Sequence, residues 1–216
     1  MSLTLLTDDL WFPSADKADQ QGLLAIGGDL SAKRLLLAYK NGIFPWFNED
    51  EPPLWWCPDP RCVLFPEQVV ISKSMQQLIR KKTFTVTVNT AFERVIRSCG
   101  ATRRHREGTW ITEDIINAYT QLHRQGYAVS VEAWQGTQLA GGLYGIRLGG
   151  IFFGESMFSS VSNASKYALI QYMLLMQEDG GVITDCQIYT PHLESMGARM
   201  ISRAAFLSLL RQHLPQ

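Results

Sequence analysis

The chain has 216 residues, 46% of them hydrophobic and 19% charged, and its 20 Lys+Arg balance 20 Asp+Glu to a formal net charge of zero. That composition excludes disorder as the main state. Taken whole, it argues against a strongly basic nucleic-acid binder. The balance is uneven along the chain. Residues 1–72 hold 5 basic and 10 acidic side chains (net −5), residues 73–106 hold 9 and 1 (net +8), and residues 107–216 hold 6 and 9 (net −3). A strong positive field is thus expected over one short segment. No apolar run approaches the roughly 18 residues of a membrane span, and the N-terminal MSLTLLTDDLWFP lacks the basic start of a signal peptide. Cys57, Cys62, Cys99 and Cys186 show no CxxC pair and no metal-like spacing with histidine, which reads as free thiols in a reducing cytoplasm.

In chain order, the first 66 residues are rich in Pro, Gly and Trp and carry one clear helix, with Ser31 as its N-cap and Gly42 as its stop. Turn-prone loops surround it, and a lobe boundary is expected near 61–67. A basic helix over 72–82 follows, then FTVTV at 84–88, which alternates as a strand does. Thr90 and Glu93 read as a capping box for a helix ending at Gly100. A basic loop at 103–106 precedes GTWIT and a helix over 112–126. Three strands, 127–134, 138–146 and 150–157, form a meander with glycine turns. A helix over 163–179, a strand at 182–187, a short helix at 191–197, a strand near 198–201 and a helix over 202–213 complete a mixed α+β pattern.

Three segments carry candidate chemistry. Trp46, Trp55 and Trp56 sit among prolines, where indoles suit stacking on a base or walling an apolar pocket. Trp110 adjoins the basic loop. Glu155, in GESMFS, is expected where a strand meets a loop and faces a cleft, with Met157 and Phe158 as candidate pocket residues. Ser156 lacks the second glycine and the ordered partners of a nucleophile elbow. In TDCQ, strand alternation puts Asp185 and Gln187 on one face and Cys186 on the other, buried and inert. An aspartate held by an adjacent amide is oriented to bind or deprotonate an amine.

GLLAIGGDLS, NGIFPWF, LWWCPDPR, GTWIT, GGLYG, FFGESMFS, NASK and DCQ occur in order over nearly the whole chain, and together they resemble the leucyl/phenylalanyl-tRNA–protein transferase family. The resemblance implies a small N-terminal lobe (1–66) followed by a catalytic domain (67–216) similar to the GNAT acetyltransferase fold. It also implies transfer of Leu or Phe, with Met as a further candidate, from aminoacyl-tRNA to the N-terminal Arg or Lys of proteins, tagging them for N-end rule degradation. The implied enzyme is cytoplasmic and monomeric and needs no metal or cofactor.

Carried over residue by residue, the resemblance makes Asp185, Gln187 and Glu155 the catalytic and acceptor-binding set. Trp46, Trp110, Leu143, Met157, Tyr172 and Met176 become the aminoacyl and adenosine pocket. Leu143 stands where Met is familiar and Thr184 where Ile is familiar, which bears on side-chain preference. Arg80, Lys81, Lys82, Arg103, Arg104 and Arg106 are the expected contacts to tRNA phosphate, holding the backbone without reading sequence. An acyl-CoA acetyltransferase is the rival of like fold, but SMFSSVSNASK has no glycine for a pyrophosphate loop. A non-catalytic tRNA-binding module is the second rival.

Overall fold

The computed structural model describes residues 3–104 and 109–214; the side chains of Arg103 and Arg104, and all of Arg106, lie outside the described residues. The N-terminal lobe contains β1 (Thr4–Leu6), β2 (Leu23–Gly27), α1 (Ala32–Lys40), β3 (Phe44–Pro45) and β4 (Leu54–Trp56), and its strands form a 4-stranded sheet in the order β1-β2-β4-β3. These strands are only 2–5 residues long, too short for a period of two to register, so the sequence reads them as loops. The Ser31 hydroxyl accepts from the Arg34 amide at 3.3 Å and starts α1 where expected.

The large sheet begins with β5 (Arg61–Leu64), so sheet membership changes before Arg61 rather than after residue 66. The chain continues through α2 (Lys73–Arg80), β6 (Thr85–Val88), α3 (Phe92–Arg104), α4 (Glu113–Arg124), β7 (Ala128–Gln135), β8 (Gln138–Leu148) and β9 (Ile151–Ser159). It closes with α5 (Ala164–Glu178), β10 (Ile183–Gln187), α6 (Pro191–Glu194), β11 (Arg199–Ile201) and α7 (Arg203–His213). Seven strands are ordered β11-β5-β10-β9-β8-β7-β6. Their ladders are antiparallel except β9 with β10, joined by the α5 crossover. This is the expected mixed α+β layer, with one apolar cluster on each sheet face. One of the two clusters joins Leu35 and Trp55 of the lobe to Phe153 and Phe206 of the large unit, so lobe and sheet share a core.

The α3 start and end differ from expectation. The Thr90 hydroxyl donates to Glu132 at 3.0 Å, the same carboxylate accepts from the Ala91 amide at 3.2 Å, and Glu93 instead pairs with Arg97. A carboxylate from the sheet thus caps the helix, a contact that local spacing cannot reveal. The helix also runs through Gly100 to Arg104. A Cβ on Gly100 would lie 3.4 Å from the Ile111 side chain, so the glycine serves close packing rather than termination. Among the described residues no helix is long and apolar enough to cross a membrane.

Candidate active site

Two irregularities in neighbouring strands create the site. In β9 the register against β8 passes from Gly154↔Gly145 to Ser156↔Tyr144, leaving Glu155 as the extra residue. A Cβ on Gly145 would run into the Phe153 carbonyl oxygen, so only glycine tolerates this approach. In β10 the register against β5 passes from Asp185↔Val63 to Gln187↔Cys62, leaving Cys186 as the extra residue, and Gln187 adopts φ 64. The parallel pairing of β9 with β10 ends at Asp185↔Phe153. Beyond that point the strands part, and a cavity of about 590 Å³ opens between them. Glu155 therefore lies within a strand, at a bulge, and not at a strand–loop junction.

The cavity has an apolar wall of Phe44, Trp46, Trp110, Leu143, Phe152, Met157 and Leu169 and a polar side of Glu155, Gln187, Thr190 and His192, with Thr184 also in its lining. Of the expected pocket residues, Trp46, Trp110, Leu143 and Met157 line it. Tyr172 and Met176 do not: Tyr172 packs edge-on against Phe152 at 4.8 Å, and Met176 is fully buried behind Thr184. Both support the wall from behind. The Thr184 hydroxyl donates to the sulfur of Met173 at 3.2 Å, so this residue also turns its polar atom away from the cavity. Trp55 is fully buried and donates to the Gly27 carbonyl, which makes it core rather than a stacking platform.

Glu155 is the acidic floor. Its Oε1 accepts from Tyr39 Oη at 2.8 Å and from Gln187 Nε2 at 2.7 Å, and its Oε2 accepts from Tyr119 Oη at 3.1 Å. Burial pushes its pKa from the ordinary 4.5 to about 7, against the downward pull of these three hydrogen bonds. The two tyrosine hydroxyls also hydrogen-bond to each other. The same burial raises both phenols well above their usual range.

Asp185 is fully buried and does not line the cavity. It accepts from Arg61 Nε at 2.8 Å and Nη2 at 2.7 Å, and from the Gln187 amide at 2.9 Å. The Arg61 guanidinium lies 4.7 Å from the ring centres of both Phe44 and Phe206. Burial opposes its charge, and the Asp185 carboxylate outweighs that cost. The bulge breaks the strand alternation assumed from sequence: Gln187 reaches the cavity, Asp185 stays behind it, and Cys186, expected to be buried on the far face, lines the cavity and is partly exposed. Sequence reasoning misses Arg61, Tyr39 and Tyr119. The LWWCPDPR motif contains Arg61, but its partner is 124 positions away.

Arg80, Lys81 and Lys82 are exposed at the end of α2 and lead into β6. Three strand spacings separate β6 from β9, roughly 15 Å. Arg103 and Arg104 belong to α3, with side chains outside the described residues, as is all of Arg106.

Residues 63–211 match the family described as leucyl/phenylalanyl-tRNA protein transferase, and residues 28–59 match the N-terminal domain of the same family. Three curated relatives carry the name leucyl/phenylalanyl-tRNA–protein transferase. The one from Flavobacterium johnsoniae is 56% identical over 95% of this chain and 98% of its own. Those from Syntrophobacter fumaroxidans and Pseudomonas fluorescens are each 52% identical, over 100% and 98% of this chain and 93% and 95% of their own. At such identity over nearly its full length, the chain belongs to the leucyl/phenylalanyl-tRNA–protein transferase family, an aminoacyltransferase family.

Proposed function

We propose that this protein transfers Leu or Phe from aminoacyl-tRNA to the N-terminal Arg or Lys of acceptor proteins, acting in the cytoplasm as a monomer. The observation that carries this reading is the division of one cavity into an apolar wall and an acidic floor formed by Glu155 and Gln187. The wall suits an apolar aminoacyl side chain and the terminal adenosine. Such a wall separates Leu from Phe by only about 1–3 kcal/mol per methylene, which is consistent with dual use. The floor suits a cationic acceptor.

The chemistry asks little of the protein. The donor ester is already activated, and an α-amine with a pKa near 8 is on the order of one-tenth neutral at pH 7. The amine nitrogen attacks the ester carbonyl, the bond to the ribose oxygen breaks, and the proton lost from nitrogen balances the one the ribose oxygen gains. Positioning supplies most of the acceleration. Gln187 has its Nε2 committed to Glu155, which leaves its Oε1 to accept from the attacking amine. Glu155 meets the positive charge of the acceptor, and that charge in turn favours the ionised carboxylate. Asp185, locked to Arg61, acts as a positioning residue that holds the Gln187 bulge. Arg80, Lys81 and Lys82, with Arg103, Arg104 and Arg106, hold acceptor-stem phosphates.

The test is incubation with charged leucyl-tRNA and an Arg-initiated peptide, followed by mass analysis. A Leu-sized increase on that peptide supports the reading. Equal addition to a Gly-initiated peptide contradicts the acceptor assignment. Tight tRNA binding without any transfer favours a binding module.

A further inference from the structure

Cys62 and Cys186 come together across β5 and β10. Gln187 is the register partner of Cys62, and the bulge makes Cys186 face that same residue. Both cysteines pack into one apolar cluster on the same side of the sheet. Their accessibility differs: Cys62 is fully buried, whereas Cys186 is partly exposed and lines the substrate cavity. A small oxidant entering the cavity meets Cys186 first, and Cys62 lies across the strand pair in the same apolar cluster. Cys186 also lies between Asp185 and Gln187, so any change at its sulfur acts on the strand that presents Gln187.

We propose that Cys62 and Cys186 are a modification site, a thiol pair that a peroxide closes reversibly to a disulfide, and that closure stops transfer by displacing Gln187. The second half rests on the transfer function proposed above. The Cys186 sulfur attacks the peroxide O–O bond, becoming a sulfenic acid as one water leaves. The Cys62 sulfur then attacks the Cys186 sulfur, the S–S bond forms, and the hydroxyl leaves with the Cys62 proton as a second water. Two thiols lose two electrons and two protons, and one peroxide is reduced to two waters.

The bond requires the sulfurs to close to about 2.05 Å. Closure draws the Cys186 bulge towards β5 and so pulls Gln187, the next residue, away from its 2.7 Å bond to Glu155.

The experiment treats the full-length protein with hydrogen peroxide. Peptide mapping under non-reducing conditions reads the linkage, and transfer to an Arg-initiated peptide reads activity. The expected result is a peptide joining Cys62 to Cys186, lighter by two hydrogens than its parts. Most of the transfer activity should be lost in step with its formation, and dithiothreitol should restore it. Cys62→Ala, and Cys62→Ser should the alanine variant fold poorly, keeps its activity when reduced and forms no linkage. Dimedone should then trap the Cys186 sulfenic acid. Peroxide-treated wild type with no 62–186 linkage overturns the site, and linkage with full activity overturns the control. A reduced wild type that transfers nothing sinks the proposed function while leaving the linkage measurement intact.

Discussion

Arg61 and Asp185 form a two-point ion pair in which neither side chain meets solvent, being 1% and 0% exposed, and the same carboxylate caps the Gln187 amide at 2.9 Å. A carboxylate so occupied holds geometry; it does not reach the acceptor. Replacing Asp185 by Asn leaves a buried guanidinium facing a neutral partner. The expected loss is about 3–5 kcal/mol of folding stability, read from the denaturant midpoint at constant m-value. Where the variant remains folded, kcat should fall while the KM for aminoacyl-tRNA stays near wild type, because the apolar wall is untouched. A variant of full stability would show that the pair does not hold the bulge.

Glu155 gives a pH signature. Its folded pKa of about 7 lies above the ordinary 4.5, so between those values the folded protein binds more protons than the unfolded chain. Stability attributable to this group is therefore greatest below pH 4.5 and falls as pH rises through 7, by roughly 3 kcal/mol in total. Denaturant titrations of wild type and Glu155→Gln at pH 5 and pH 8 isolate the effect. The difference between the two proteins should change with pH in that direction, and a constant difference would rule out the raised pKa.

The tyrosine pair tunes the same group. Tyr39 donates to Glu155 and thereby favours its ionised form. Removing that hydroxyl in Tyr39→Phe should move the acidic limb of the pH–activity profile upward by roughly one unit, and Tyr119→Phe should do the same by loss of its own donation. The measurement is kcat/KM for an Arg-initiated peptide from pH 5 to 9. Loss of activity at every pH with an unmoved limb would assign the tyrosines to packing alone.

Much of this arrangement is legible in the sequence, and the missing parts share a cause. The β7–β9 meander, α5 and the β10 segment carry long periodic patterns with glycine turns, and their bounds come within a few residues. GESMFS and TDCQ mark the two bulged strands, yet a bulge cannot be seen in a pattern that assumes alternation. Strict alternation therefore sets Cys186 on the wrong face, and reading GESMFS as the end of its strand sets Glu155 at a strand–loop junction. Arg61, Tyr39 and Tyr119 reach their partners over 124, 116 and 36 positions. Tyr39 and Tyr119 sit inside apolar helix faces, where tyrosine reads as core. Only the three-dimensional pairing of α1 and α4 over β9 gives their hydroxyls a target.

The basic segment supplies the last prediction. Arg80, Lys81 and Lys82 stand exposed at the end of α2, outside the cavity lining and leading into β6, three strands from β9, a place suited to the stem beyond a single-stranded acceptor end. Phosphate contacts release counterions and carry no sequence information, so neutralising all three by Gln should weaken every tRNA alike. The slope of log K against log salt should flatten by about one unit for each phosphate no longer held. Transfer at saturating tRNA should keep its wild-type kcat, since nothing in the cavity changes. Binding titrations of leucyl- and phenylalanyl-tRNA at several salt concentrations separate the outcomes. An unaltered slope would remove this patch from the tRNA surface, and an altered Leu-to-Phe ratio would mean that it reaches the aminoacyl end after all.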